Sequence, residues 1–183
     1  MLDSIDTSTP AGLRDRAPIG LMVYSFARIG AALGMAVEDV YTQNRRLWVR
    51  LREKGGKRHA MPCHHNLDEY ITAYFDGADL RDDPKGPLFR TIGRGIKGWP
   101  LTRTVLPQRN AHAMSRRRAA AAGIVTKLGN HRFRATGITA YLKNGGTLEK
   151  AAAMANHAST RTTQLYDRRR DEVSLDEVER IVI

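Results

Sequence analysis

A chain of 183 residues with 30 Lys+Arg against 19 Asp+Glu carries a formal charge of +11, which points to a polyanionic partner, nucleic acid first. Aromatic residues make up only 7%, too few for a binder that stacks single strands on aromatic platforms. Cys63 is the only cysteine, which excludes an intrachain disulfide and fits a reducing compartment. The length fits one domain with a sizeable core, or at most one domain and a small appendage. The first residues carry acidic charge and no basic stretch, so no secretory leader is expected. The best apolar run, Ala17 to Ala27, is too short to span a bilayer.

Thr9-Pro10 reads as a helix start, a capping hydroxyl followed by a first-turn proline. Ile19, Met22, Val23 and Phe26 recur at helical spacing and form a core stripe. Arg28 follows among small and apolar residues, where an arginine is costly unless paired. Leu47, Val49 and Leu51 alternate with Trp48, Arg50 and Arg52, which predicts a strand. Glu53 to Lys57 is turn chemistry, and the stretch up to Pro62 is the returning strand. Lys54 then sits at a hairpin tip. Cys63-His64-His65 imitates a metal cluster, but neighbours on extended chain point to opposite faces and no fourth ligand is evident.

Leu67 to Phe75 predicts an amphipathic helix, followed by a polar loop to Pro87 and a short strand over Leu88 to Ile92. Gly93 to Arg103 reads as a glycine-rich basic loop, and Gln108 to Ala122 as a helix bearing Arg116-Arg117-Arg118 and ended by Gly123. Arg90, Arg94, Lys97, Arg103, Arg116, Arg117, Lys127 and Arg132 are the candidate contacts to a DNA backbone. A further helix runs through Arg134 to Lys143, with Ile138, Tyr141 and Leu142 as core, and stops at Asn144-Gly145-Gly146. Leu148 to Ala155 is a short alanine-rich helix. Ser159 or Thr160 caps the helix expected to carry Tyr166. The segment from Val173 to Val182 is amphipathic enough to dock on another surface.

His131 and Arg134 lie three apart, which puts them on one helix face. Two potential cations side by side make sense if an anion lies between them, and an arginine fork matches a phosphate bidentately. A tyrosine without a metal or cofactor partner can be the nucleophile that attacks such a phosphate.

Arg28, Lys54, His131, Arg134, His157 and Tyr166 occur in the order and rough spacing of the tyrosine recombinase (phage integrase) catalytic domain, which this chain resembles from about Leu13 onward. His131-x-x-Arg134 resembles the second box of that family. The interval from His157 to Tyr166 matches its closing histidine and nucleophile, and Glu53 to Arg58 looks like its lysine-bearing hairpin. Three positions depart from the pattern. Phe26-Ala27 stands in place of Thr-Gly before the first arginine, Ala31 in place of an acid three residues after it, and Ala155-Asn156 in place of Leu-Gly before the last histidine.

The resemblance implies an α+β, mainly helical fold with a small antiparallel sheet carrying the lysine. It implies one catalytic domain over 1–183, without room for the helical DNA-binding domain that usually precedes it. It also implies strand cleavage and rejoining through a 3′-phosphotyrosyl intermediate, with no cofactor and no metal. In those roles Tyr166 attacks and Arg28 and Arg134 hold the charge of the transition state. His157 donates a further hydrogen bond, His131 takes the tyrosine proton, and Lys54 protonates the leaving 5′-oxygen. The expected partners are double-stranded DNA and further copies of the chain, dimer to tetramer, joined through the C-terminal segment, with no membrane; the expected location is the cytoplasm, at the nucleoid. A type IB topoisomerase shares the chemistry, and a docking segment after the tyrosine favours exchange between protomers over swivelling. A non-catalytic DNA-binding module would not need Tyr166 and Lys54 in register with the rest.

Overall fold

Thr9 starts the first helix as the sequence suggests: its hydroxyl accepts from the Gly12 amide at 3.1 Å, and Pro10 occupies the first turn. The computed structural model describes residues 1–53, 56–93, 100–126 and 129–167. This first helix, α1 (Pro10–Tyr24), ends at Ser25, whose amide and hydroxyl both donate to the Leu21 carbonyl. Phe26 then takes a left-handed backbone, φ 55°, and the short helix α2 (Ile29–Leu33) begins after Arg28.

Three antiparallel strands follow, β1 (Val40–Gln43), β2 (Arg46–Arg52) and β3 (Arg58–Pro62), in that spatial order. The expected hairpin is thus a three-stranded sheet. Val40 pairs with Val49, Leu51 with His59 and Arg52 with Arg58. Asn44 and Arg45 turn the first hairpin with positive φ at both positions. Val49 and Leu51 face inward and are fully buried.

The second long helix, α3 (His65–Ala78), packs along α1. Strands β4 (Arg90–Ile92) and β5 (Leu101–Val105) pair antiparallel, so part of the expected basic loop is a strand. Then come α4 (Gln108–Ala121), α5 (Asn130–Lys143), α6 (Leu148–Met154) and α7 (Thr160–Gln164). Among the described residues, no helix is long and apolar enough to cross a membrane.

Two apolar clusters organise the molecule. The larger gathers α1, α2, α3 and the inward residues of β2, and reaches Phe133 on α5. The smaller consists of Phe26, Ile138, Leu142, Ala151 and Ala155, with Tyr141, Leu148, Met154 and Tyr166 packed against it. Helix α5 belongs to both. It can lie against the end of α1 because residue 137 is glycine: a Cβ there would stand 2.0 Å from the Val23 carbonyl oxygen and 2.9 Å from the Phe26 ring.

Candidate active site

The close approach at Gly137 sets Arg134, one turn earlier on α5, beneath the left-handed turn at Phe26. Arg134 is buried, and its two terminal nitrogens donate to the Phe26 carbonyl and, at 2.6 Å, to the Ala155 carbonyl. The guanidinium therefore ties the end of α1 to the end of α6. Burial and the nearby Arg28 cation both weaken its hold on its proton, yet an arginine in a folded protein keeps its charge.

Arg28 enters from the other side of the same turn. Its Nη1 lies 2.6 Å from Glu53 Oε2, with the Arg28 side chain 36% exposed and that of Glu53 2% exposed. Sequence reading assigned Glu53 only to a turn. The signal was available: the alternation of Val49 and Leu51, extended by two residues, puts position 53 on the inward face. A carboxylate absent at position 31 is thus met from the sheet.

His157 is positioned by the end of α6. Asn156 adopts a left-handed backbone, φ 47°, and the His157 amide returns to the Ala152 carbonyl at 2.9 Å. This closes the helix in the manner usually reserved for glycine, which asparagine also tolerates. The Ala155-Asn156 departure from Leu-Gly therefore keeps the needed geometry. His157 Nδ1 sits 2.9 Å from the Thr163 hydroxyl, a buried partner that no spacing argument revealed. Burial, then the Arg134 and Arg28 cations, push the imidazole pKa down to about 4, so the ring is neutral near neutral pH.

Ser159 caps α7, as expected, accepting from the Arg161 amide at 3.1 Å. Tyr166, however, lies two residues beyond the helix, in the turn that follows it. Its amide donates to the Thr163 carbonyl at 3.0 Å, and its carbonyl accepts from the Thr139 hydroxyl at 3.2 Å. The ring is half-buried on the smaller cluster and runs parallel to His157, 9° between planes and 6.2 Å between centroids.

Arg28, Arg134, His157 and Tyr166 are therefore brought together around one point. His131 lies one turn before Arg134 on the same helix. It is exposed on the first turn of α5 and lines a shallow cleft of about 520 Å³ with Ile29, Gln108, Arg109, His112 and Gly129. Lys54 lies outside the described residues. A further histidine missed by sequence reading, His59 on β3, is half-buried close to Glu53 and Arg134. Burial lowers its pKa despite the Glu53 charge and the nearby Met154 carbonyl, and neither ring nitrogen makes a hydrogen bond of good geometry among the described residues.

Among the basic residues expected on DNA, Arg103, Arg116, Arg117 and Arg132 are exposed. Arg90 is not available: it is buried, with its guanidinium bonded to Asp83 at 2.9 Å and to the Pro87 carbonyl at 2.9 Å. Arg118 also serves the fold, bound to the buried carboxylate of Asp15 at 2.9 Å. Arg94, Lys97 and Lys127 lie outside the described residues, as does the segment from Val173 to Val182.

Cys63-His64-His65 has another use. His64 Nδ1 accepts the Asn66 amide at 3.2 Å, capping α3, and its ring stacks on Tyr24 at 4.5 Å. The two histidine rings lie 4.0 Å apart rather than on opposite faces, because His65 already begins the helix. Burial pushes the Cys63 thiol up to about 12, which leaves it a poor thiolate. Among the described residues, no group of three or more His, Cys, Asp or Glu side chains could hold a metal ion.

The small antiparallel sheet set among helices is the α+β fold of tyrosine recombinase catalytic domains. The solved structure of XerA recombinase superposes with a TM-score of 0.72 at 21% identity, over 98% of this chain and 59% of that one. XerH recombinase, in a post-cleavage complex with a palindromic difH substrate, superposes with a TM-score of 0.70 at 23% identity, over 98% and 49%. In sequence, the chain is 29% identical to tyrosine recombinase XerD of Corynebacterium glutamicum over 171 residues, 91% of this chain and 53% of that protein. It is 31% identical to XerD of Mycobacterium tuberculosis over 161 residues, 86% and 48%. It thus spans about half the length of these relatives. The phage integrase family is matched over residues 1–172, and the chain belongs to that family.

Proposed function

We propose that this chain is the catalytic part of a site-specific DNA recombinase, cleaving and rejoining DNA strands through a tyrosyl phosphodiester. The convergence of Arg28, Arg134, His157 and Tyr166 on one point carries this reading. Attack by the Tyr166 oxygen on a backbone phosphorus forms the 3′-phosphotyrosyl bond and expels the 5′-oxygen. Charge grows on the non-bridging oxygens, and two fixed guanidiniums meet it. Arg134 spends one hydrogen of each terminal nitrogen on a carbonyl, which aims its remaining donors. In the tautomer in which Nδ1 accepts from the Thr163 hydroxyl, neutral His157 carries its proton on Nε2 and can give the phosphate another hydrogen bond. His131, at the rim one turn from Arg134, receives the tyrosine proton by relay, and Lys54 supplies the proton to the leaving oxygen.

Exposed Arg103, Arg116, Arg117 and Arg132 would hold the duplex backbone. Copies of the chain would assemble on DNA as dimer to tetramer through the amphipathic segment from Val173 to Val182. A cytoplasmic protein acting at the nucleoid follows from the same reading. The test is covalent capture. A library of nicked duplexes of randomised sequence is incubated with the chain, and the sequence retained on denatured protein becomes the substrate. Wild type should give an SDS-resistant adduct, and Tyr166→Phe, which keeps the ring's packing and loses the oxygen, should give none. An undiminished adduct with Tyr166→Phe would remove Tyr166 from its role.

A further inference from the structure

Arg28 reaches into the site from a short helix and is only partly covered, so its own neighbours do little to fix its guanidinium. What fixes it is Glu53. The contact at 2.6 Å is a charge-assisted hydrogen bond to a carboxylate that is itself almost wholly buried. The backbone of Glu53 is equally held. Its amide donates to the Lys57 carbonyl at 2.8 Å, and its carbonyl accepts from the Gly56 amide at 3.1 Å. These two bonds close the turn between β2 and β3, so Glu53 is the residue at which that turn is pinned. Its other oxygen, Oε1, is buried and accepts no hydrogen bond among the described residues. Burying a carboxylate with one oxygen unserved is unfavourable unless the charge is needed where it stands.

Two cations beside a neutral histidine form a phosphate cradle, and a buried negative charge within it opposes phosphate binding. An anion is thus built into a site whose ligand is an anion. Affinity for DNA does not explain that, but orientation does. A guanidinium held at Nη1 presents its remaining donors in one direction, and a transition state rewards direction more than a ground state does.

We propose that Glu53 is a positioning residue for the strand-transfer reaction, clamping Arg28 to the end of β2 so that its guanidinium keeps one orientation. This rests on the proposed recombinase chemistry. The clamp works through Arg28 and touches no reacting atom. It weakens DNA binding slightly by its charge and speeds the chemical step by fixing the fork. The two effects have opposite signs, which separates positioning from a merely structural role.

The experiment compares wild type, Glu53→Gln, Arg28→Ala and the double variant on the captured nicked duplex, measuring equilibrium DNA binding and the single-turnover rate of adduct formation. Glu53→Gln keeps the side-chain shape and removes the charge. It should bind DNA as tightly as wild type or more tightly, and form adduct about 10- to 100-fold more slowly, the range of a lost orienting contact. In the Arg28→Ala background the same change should cost no further rate, because the clamp has nothing left to hold. Glu53→Asp, which keeps the charge on a shorter stem, should recover part of the rate and keeps the test open if Glu53→Gln folds poorly. Equal adduct rates for wild type and Glu53→Gln would overturn the proposal, as would parallel losses of binding and rate or full additivity with Arg28→Ala. Absence of adduct with wild type would overturn the recombinase reading instead.

Discussion

The two apolar clusters hold their parts of the site in different ways. Among the described residues the larger contains twenty-six buried side chains and the smaller five, two of them alanines. At roughly 25 cal/mol per Å² of apolar surface removed from water, the larger sustains itself and the smaller does not. Arg28 and Glu53 stand on the well-packed side, whereas His157 and Tyr166 stand on the thin one. Beside the packing of α5, which serves both clusters, polar bonds tie the thin side to the rest: Arg134 on the Phe26 and Ala155 carbonyls and Thr139 on the Tyr166 carbonyl. The Arg28–Glu53 ion pair therefore stands on a well-packed core, whereas Tyr166 is placed by hydrogen bonds at the edge of a thin cluster. A segment of that kind sits at the low end of a protein's range of local stabilities.

The comparison breaks most visibly at Arg134. Arg134→Ala leaves two buried carbonyls unserved and, on the proposed chemistry, removes a transition-state cation. Adduct formation should fall by about 10²- to 10³-fold. Local stability of α6 and α7 should fall by about 2–4 kcal/mol. Hydrogen exchange is the measure: amides over residues 148–164 should exchange much faster, while those of α1 and α3 keep their protection. Uniform loss of protection across both regions would mean the clusters unfold as one.

A smaller effect is expected where the clusters are pressed together. Gly137→Ala puts a methyl against the Val23 carbonyl and should cost about 1–3 kcal/mol by thermal melting. Gly30, on α2, has no atom within 4 Å of an added Cβ, so Gly30→Ala should be neutral or stabilise by under about 1 kcal/mol. Similar losses at both would make helix propensity, and not the α1–α5 approach, the reason for glycine at 137.

The smallest effect concerns pH. The folded pKa of His157, about 4, lies below the ordinary value of 6.5. The unfolded chain therefore takes up that proton first, and the stability His157 contributes is present above about pH 6.5 and lost as pH falls toward 4. His59 and His64, also lowered by burial, act in the same direction. The melting temperature should decline from about pH 7 to about 5, and His157→Gln should flatten the decline. An unchanged slope would place the titration elsewhere.

Much of this was legible in the sequence wherever one local rule sufficed. Thr9-Pro10, the β2 alternation, Gly123 and the Ser159 cap each encode their element within a few residues. Strand β1 escaped because four residues from Val40 to Gln43 show no alternation long enough to read, and β5 because its basic residues suggested a loop. Arg90 could not be told from an exposed arginine, since its partner Asp83 reaches it only after the chain turns back. Glu53 escaped for a different reason. Its neighbours are turn formers, and turn chemistry outweighed the inward parity of its position. Thr163 and the Ala155 carbonyl became site groups through tertiary closure alone.

The Arg134 staple also sets an order of events during synthesis. One carbonyl partner, Phe26, leaves the ribosome long before Arg134, whereas the other, Ala155, leaves well after it. A nascent chain can hold both arginines and still lack the second anchor. Tyr166 emerges later again. The group of Arg28, Arg134, His157 and Tyr166 is thus completed by the last part of the described chain to be made, and on the proposed chemistry an interrupted translation product would carry a DNA-attracting surface with no means of cutting.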